Sequence, residues 1–342
     1  MAFKPVGVDE NGKFAPRITK ALSAIFRRSD LANVRDRHNL KSGTTPAFIK
    51  HPENPLVTAD DGAFSTIYWP WVLKVSPGNY RMYYSTDHDP EAGNLGGIGM
   101  MTSPTAFGPW TDAGMIYRDT LSGNETETPS VLYVPDLDPV RPYFMYYQQK
   151  SVGVAQSTLL AKSANGITDW VRVGKVIDVP SATETHTDGH TGYARVDRIG
   201  NLIVARHLMG GGPYGRGGLS YSTDGVNFHT DPRPLQGLQS GNGTLKTAVT
   251  SFNIVEIDGN PWYVGGATAY GGSGAEALVG QLAYAPLSKD LRSFLAPPTL
   301  VPLDAAWEDN YAGAYAFVDD GQIVVYYVSN GAIGAATLEV YS

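Results

Sequence analysis

Two groups of residues in this sequence have the types and spacing to do chemistry. The first combines flat aromatic faces with polar groups at the starts of repeated apolar segments. It comprises Tyr68, Trp69, Trp71, Trp307 and Tyr311, with Glu127, His190 and Asp309 beside them. Sugars dock on aromatic faces through their C–H groups while carboxylates and imidazoles hold their hydroxyls, and a concave site with a few placed polar groups is the usual small-ligand geometry. The competing role for Trp69 and Trp71 is to fill the core between repeats. The second group is His186-Thr-Asp188-Gly-His190. In an extended chain alternate side chains share one side, so His186, Asp188 and His190 would converge as metal ligands. A polar loop explains the same residues. Asp87-His88-Asp89 and Glu91 could hold Ca²⁺ through oxygens, against a solvated loop as the alternative. No cofactor is expected to be required, and Ca²⁺ or another divalent ion is the option these clusters leave open.

Other chemistry is excluded. There are no cysteines, so disulfides, thiolate metal sites and cysteine nucleophiles are out. No Walker loop, G-x-S-x-G elbow or H-E-x-x-H is present, and the glycines at 210–212, 217–218 and 271–274 do not fit a dinucleotide fingerprint.

The elements that must position these residues repeat. Glu127 to Gln149, ETPSVLYVPDLDPVRPYFMYYQQ, reads as an apolar strand, a Pro/Asp turn and an aromatic-rich strand. Trp69–Asp87, Gly192–Leu208, Ser251–Ala267 and Ala314–Ser329 have the same plan. Each is followed by a third strand: Gly97–Ser103, Ser157–Ser163, Gly217–Thr223, Gly280–Pro286 and Gly331–Val340. In four copies a bulky aromatic (Trp110, Trp170, Phe228 or Phe294) then precedes a fourth strand ending in an apolar pair. A period of about 60 residues with four antiparallel strands is the signature of a propeller blade. The last copy lacks its fourth strand, and Phe48–Val57 resembles the fourth-strand segment Phe294–Val301. The sequence therefore predicts an all-β, five-bladed β-propeller over residues 46–342. A strand from the N-terminal side closes the ring, so that its sheet edges are not left open. Aligning the inner strands sets Tyr68, Glu127, Gly189, Ala248 and Tyr311 level at their starts. Trp69, Thr128, His190, Val249 and Ala312 come next.

Residues 1–45 read as an arm, a short helix and a linker. Pro16 suits a first helical turn, and Ile18, Leu22, Ile25 and Phe26 form one apolar stripe. So short a helix needs a surface to pack on. Composition agrees with a folded ring: of 342 residues, 42% are hydrophobic and 17% charged. The net charge of −7 is uneven. Residues 1–50 hold ten Lys/Arg against four Asp/Glu, a balance of +6 that leaves −13 for the rest. An acidic ring argues against nucleic acid as its ligand. No apolar run is long enough to span a bilayer and no secretory h-region opens the chain, so neither membrane insertion nor a signal peptide is expected.

Two resemblances add to this reading. The blade layout, the closing strand and the phrases PSVLY and SANGITDW resemble the five-bladed furanosidase superfamily, which includes glycoside hydrolase families 43 and 32. That resemblance implies a carboxylate at the start of the inner strand in each of the first three blades. These serve as base or nucleophile, as pKa support and as general acid. Here Trp69, Thr128 and His190 stand at those places. Glu127 is adjacent, and Asp61 and Asp188 lie upstream, so catalysis would use Glu127 with Asp61 or Asp188. Separately, VGVDENGKFAPRITKAL resembles the N-terminus of minor tail or fibre proteins of phages that infect actinobacteria. That implies a virion protein acting outside the host cell. Residues 1–28 would join other tail proteins, as a homo-oligomer or not, and the propeller would bind a host-surface polysaccharide. The alternatives are a family 43-like hydrolase of a cell-wall polysaccharide such as arabinan or arabinogalactan, a purely structural virion component, and an arm that is a plain cap on the ring.

Overall fold

In the computed structural model, the residues described are 46–58, 67–89, 94–120, 125–150, 156–178, 191–209, 216–231, 252–269, 279–291, 294–296, 298–309 and 311–339. Among them every regular element is a strand. The predicted helix over Pro16–Phe26 lies outside the described residues.

The strands form five four-stranded antiparallel sheets. β1 (Ala47–Lys50) comes first. Blade 1 is β2 (Ile67–Ser76), β3 (Asn79–Asp89), β4 (Asn94–Ser103) and β5 (Thr111–Tyr117). Blade 2 is β6 (Glu125–Tyr133), β7 (Tyr143–Lys150), β8 (Ser157–Ser163) and β9 (Val171–Ile177). Blade 3 is β10 (Arg195–Ile199), β11 (Leu202–Met209), β12 (Arg216–Ser222) and β13 (His229–Thr230). Blade 4 is β14 (Asn253–Ile257), β15 (Asn260–Ala269), β16 (Val279–Pro286) and β17 (Thr299–Leu300). Blade 5 is β18 (Tyr311–Asp319), β19 (Gln322–Ser329) and β20 (Ala332–Glu339), with β1 as its outer strand. The expected five-bladed propeller is the observed fold.

The closure predicted from Phe48–Val57 is also observed. Phe48 pairs with Leu338 and Lys50 with Ala336, and Val57 bridges Ile333. Between those points the chain leaves the ladder, and Asn54 fills in. Its amide nitrogen donates to Ala335 O at 2.8 Å, and its carbonyl accepts the Ala335 N–H at 2.8 Å. A side-chain amide thus replaces a peptide group, and the edge of β20 stays covered.

Inter-blade contacts run right round the axis. The Trp71 indole donates to Val131 O (blade 1 to 2), Ser130 Oγ to Ala194 O (2 to 3), Arg206 Nε to Phe252 O (3 to 4) and Asn253 Nδ2 to Ala314 O (4 to 5). The Trp71 and Tyr315 rings close the circuit at 4.2 Å. Further out, a buried tyrosine on a second strand reaches the turn between the third and fourth strands of a neighbouring blade. Tyr83 donates to Gly166 O at 3.0 Å, Tyr146 to Gly225 O at 2.9 Å, and Tyr326 to Ala106 O. Gly166 sits at φ 73°, and an added Cβ would lie 2.6 Å from the Tyr143 ring, so both the turn and the close approach require glycine. The same turn recurs in blade 3 at Ser222-Thr-Asp-Gly225, with Gly225 at φ 72°.

Candidate functional site at the mouth of blades 1 to 3

The inner strands of the first three blades begin at one end of the ring with the same irregularity. Trp71 pairs with Tyr83, Ser130 with Tyr146 and Arg195 with Arg206. These pairs are equivalent. Tyr83, Tyr146 and Arg206 each lie three residues beyond the residue opposite a third-strand serine: Tyr80 faces Ser103, Tyr143 faces Ser163 and Ile203 faces Ser222. Two residues before each pair the backbone turns left-handed, at Trp69 (φ 53°), Thr128 (φ 57°) and Tyr193 (φ 55°). In blades 1 and 2 this is a β-bulge, between Tyr68 and Trp71 and between Glu127 and Ser130. Bulges re-aim side chains and recur beside binding sites. Left-handed backbone in a bulky or β-branched residue is strained, and strain gathers at functional sites.

This register corrects the sequence alignment in blade 3. Tyr193, three residues beyond His190, stands level with Trp69 and Thr128. The ladder of blade 3 starts late, at Arg195, after an irregular lead-in. That lead-in is pinned by Thr191, whose N–H donates to Gln156 O at 2.8 Å and whose hydroxyl donates to Ile177 O at 2.9 Å. His190 itself lies outside the described residues, as do Asp61, His186 and Asp188.

Four side chains from three blades meet here. Trp69 and Tyr193 lie with ring centroids 5.0 Å apart and planes tilted by 59°. The Tyr193 N–H donates to Gln148 Oε1 at 2.9 Å. The amide nitrogen of Gln148 in turn lies 3.4 Å from Glu127 Oε2. Glu127 faces Gln148 directly in the β6–β7 ladder and is buried. Gly192 leaves room for this arrangement, since a Cβ there would fall 2.2 Å from Gln148 Oε1. Ser85 of blade 1 accepts the Thr128 N–H at 2.8 Å and so fixes the bulge. The Thr128 hydroxyl is buried with no hydrogen-bond partner among the described residues. A carboxyl group, an amide and the Trp69 ring are thereby held on strands at one mouth, with the Tyr193 ring on the lead-in to β10.

The remaining aromatic candidates divide. Trp71 is only 1% exposed, with its indole N–H bonded to Val131 O, so it fills the core and lines no mouth. Tyr311 is also buried, edge-on to Tyr327 at 5.1 Å, with burial first among the causes that push its phenol pKa up. Its expected role as a sugar platform is therefore corrected to packing. Trp307 stacks on Tyr327 at 5.6 Å and packs over Gly334, in the connection between blades 4 and 5. Asp309 is exposed, and its N–H is held by Ser329 Oγ at 3.0 Å. Tyr68 is half-buried opposite Ser85.

Three further buried acids among the described residues, Asp119, Asp231 and Glu308, were not singled out from the sequence, and Asp119 and Glu308 are tied to cations. Asp119 accepts from Arg172 Nε at 2.8 Å and from Tyr147 OH at 2.7 Å. Glu308 pairs with Lys50, accepts from Tyr327 OH at 2.9 Å and takes two backbone N–H groups, those of Asp304 and Ala305. Gln148 and Tyr193 were missed as well. Gln148 had a signal, a glutamine pair ending an otherwise aromatic strand opposite Glu127.

No family profile and no curated protein sequence matches this chain. Its fold is similar to solved glycoside hydrolase structures. With a putative glycoside hydrolase from Parabacteroides distasonis it shares 12% identity at TM-score 0.61, covering 86% of this chain and 97% of the other. With an endo-arabinase from Bacteroides thetaiotaomicron the identity is 15% and the TM-score 0.57, covering 81% and 95%. With the GH32 beta-fructofuranosidase of Bombyx mori it is 12% at 0.56, covering 86% of this chain but only 62% of that longer one.

Proposed function

We propose that the propeller takes a carbohydrate at the mouth of blades 1 to 3 and acts as a glycoside hydrolase in which Glu127 is one of the two working carboxyl groups. The observation that carries this reading is the position of Glu127. It is a buried carboxyl next to the left-handed residue of an inner strand, linked through Gln148 to the backbone of Tyr193, whose ring meets Trp69. Similarity of fold to sugar-cleaving propellers supports it. Hydrolysis needs two carboxyl groups roughly 5–9.5 Å apart across the scissile bond. Asp61 or Asp188 would be the partner. The substrate class is a cell-wall polysaccharide of the arabinan or arabinogalactan type. Incubation with these polymers should release oligosaccharides.

One observation favours a second reading, binding without cleavage. The three equivalent left-handed positions hold Trp69, Thr128 and Tyr193, none of them an acid. In that case the ring recognises the polymer, and the arm at residues 1–28 fixes it to a phage tail. Retention on immobilised polymer with no product released is its signature. A chain lacking residues 1–28 would then still bind polymer but fail to enter particles.

A further inference from the structure

Blade 3 buries two arginines near the centre of the ring, Arg195 on its innermost strand β10 and Arg206 on the adjoining β11. Arg195 and Arg206 face each other across the β10–β11 ladder, so they share one face of the sheet, and both are 0% exposed. Arg195 crosses toward blades 1 and 2, where its Nη1 donates to Pro129 O at 3.2 Å and Pro70 O at 3.4 Å. Its guanidinium lies 5.8 Å from the centre of the Trp71 ring. Arg206 turns toward blade 4, where its Nε donates to Phe252 O at 2.8 Å. Its Nη2 is paired with Asp197.

These contacts leave the pair incomplete in two ways. Arg195 Nε, Arg195 Nη2 and Arg206 Nη1 are buried with no acceptor among the described residues. The charge is also unbalanced. Among the described residues the two guanidiniums have one carboxylate between them, Asp197, which pairs with Arg206 and whose side chain is 34% exposed. The other titratable group facing them is Tyr315, and burial pushes its phenol far above its ordinary range, so it stays neutral. Burial lowers the Arg195 pKa to about 9, which still leaves it charged at neutral pH. A water molecule would satisfy the open donors but would leave a buried positive charge uncompensated, and such charges are kept only when paired.

We infer that the site between Arg195 and Arg206 binds a small inorganic anion of the halide class, held by the three open guanidinium N–H groups. The anion balances the charge at the point where blades 1 to 4 converge, and so ties ring closure to anion binding. The inference is independent of any sugar chemistry at the mouth.

Two measurements test it. Crystals grown or soaked in bromide should show an anomalous peak within hydrogen-bonding reach of both guanidiniums; water alone there, or bromide only on the surface, overturns the inference. In solution, chloride titrated against gluconate at constant ionic strength should raise Tm by about 2 °C per decade above its Kd. Arg195→Met should flatten that dependence. Equal Tm in both salts would count against the site, and if the variant fails to fold, the bromide experiment on the unaltered chain decides.

Discussion

The indole of Trp69 presses against the backbone of Gly313 in the blade on its far side. A Cβ on that glycine would come 2.6 Å from the ring. Tyr193 holds the opposite flank of the indole at 5.0 Å between centroids. The aromatic face at the mouth is therefore set by a glycine of blade 5 and a tyrosine of blade 3. Gly313→Ala should cost about 1–3 kcal/mol by overpacking and should displace Trp69. In a Trp69→Ala background the same change should cost much less. Urea unfolding of the four chains checks this, and equal costs in both backgrounds would show that the contact does not set the ring's position.

Thr128 carries two penalties at once. It is a β-branched residue at φ 57°, and its hydroxyl is buried without a partner among the described residues. A position that disfavours folding in this way is expected where function requires it. Thr128→Gly should raise stability by about 1 kcal/mol, the scale of the left-handed penalty, while weakening retention on polysaccharide. A glycine variant that is less stable would show that Thr128 is a packing residue.

His207 gives the fold a predictable acid limit. It is 0% exposed in blade 3, its Nδ1 bonded to Leu208 O at 2.6 Å and its Nε2 accepting from Ser220 Oγ at 2.8 Å. Burial holds its pKa down to about 4, against a small opposing effect of the Leu208 carbonyl. In the unfolded chain the ring gains a proton near its ordinary value, about 6.5. Its folded pKa is the lower of the two. The stability it contributes is therefore complete above about pH 6.5 and is lost as pH falls toward about 4. The total is roughly 3 kcal/mol. His207→Gln should remove that slope. Unfolding free energies across this window, compared between the two chains, measure it.

The ring itself was legible in the sequence because apolar strands and turn residues recur with one period. Even the closing strand could be read, from the likeness of Phe48–Val57 to Phe294–Val301. The site was legible only in part. Glu127 stands where strand periodicity puts it. The level of blade 3 was misread by three residues, because Gly192-Tyr193-Ala194 continues the apolar pattern while the backbone there is not yet in the ladder. Nothing in a one-dimensional pattern marks that late start. Trp71 and Tyr311 were equally ambiguous, since a bulge decides which of two neighbouring tryptophans turns inward. The two buried arginines escaped notice because a charged residue inside an apolar strand reads as an outward-facing one until the opposing strand is seen.

The most direct test of the account is product release from arabinan or arabinogalactan by the unaltered chain and by Glu127→Gln, each first shown to be folded. The unaltered chain should release oligosaccharides, and the substitution should lower the rate by about 10²–10⁴-fold, the usual contribution of a carboxyl acting in acid–base catalysis. Release that continues undiminished in the Glu127→Gln chain would contradict it.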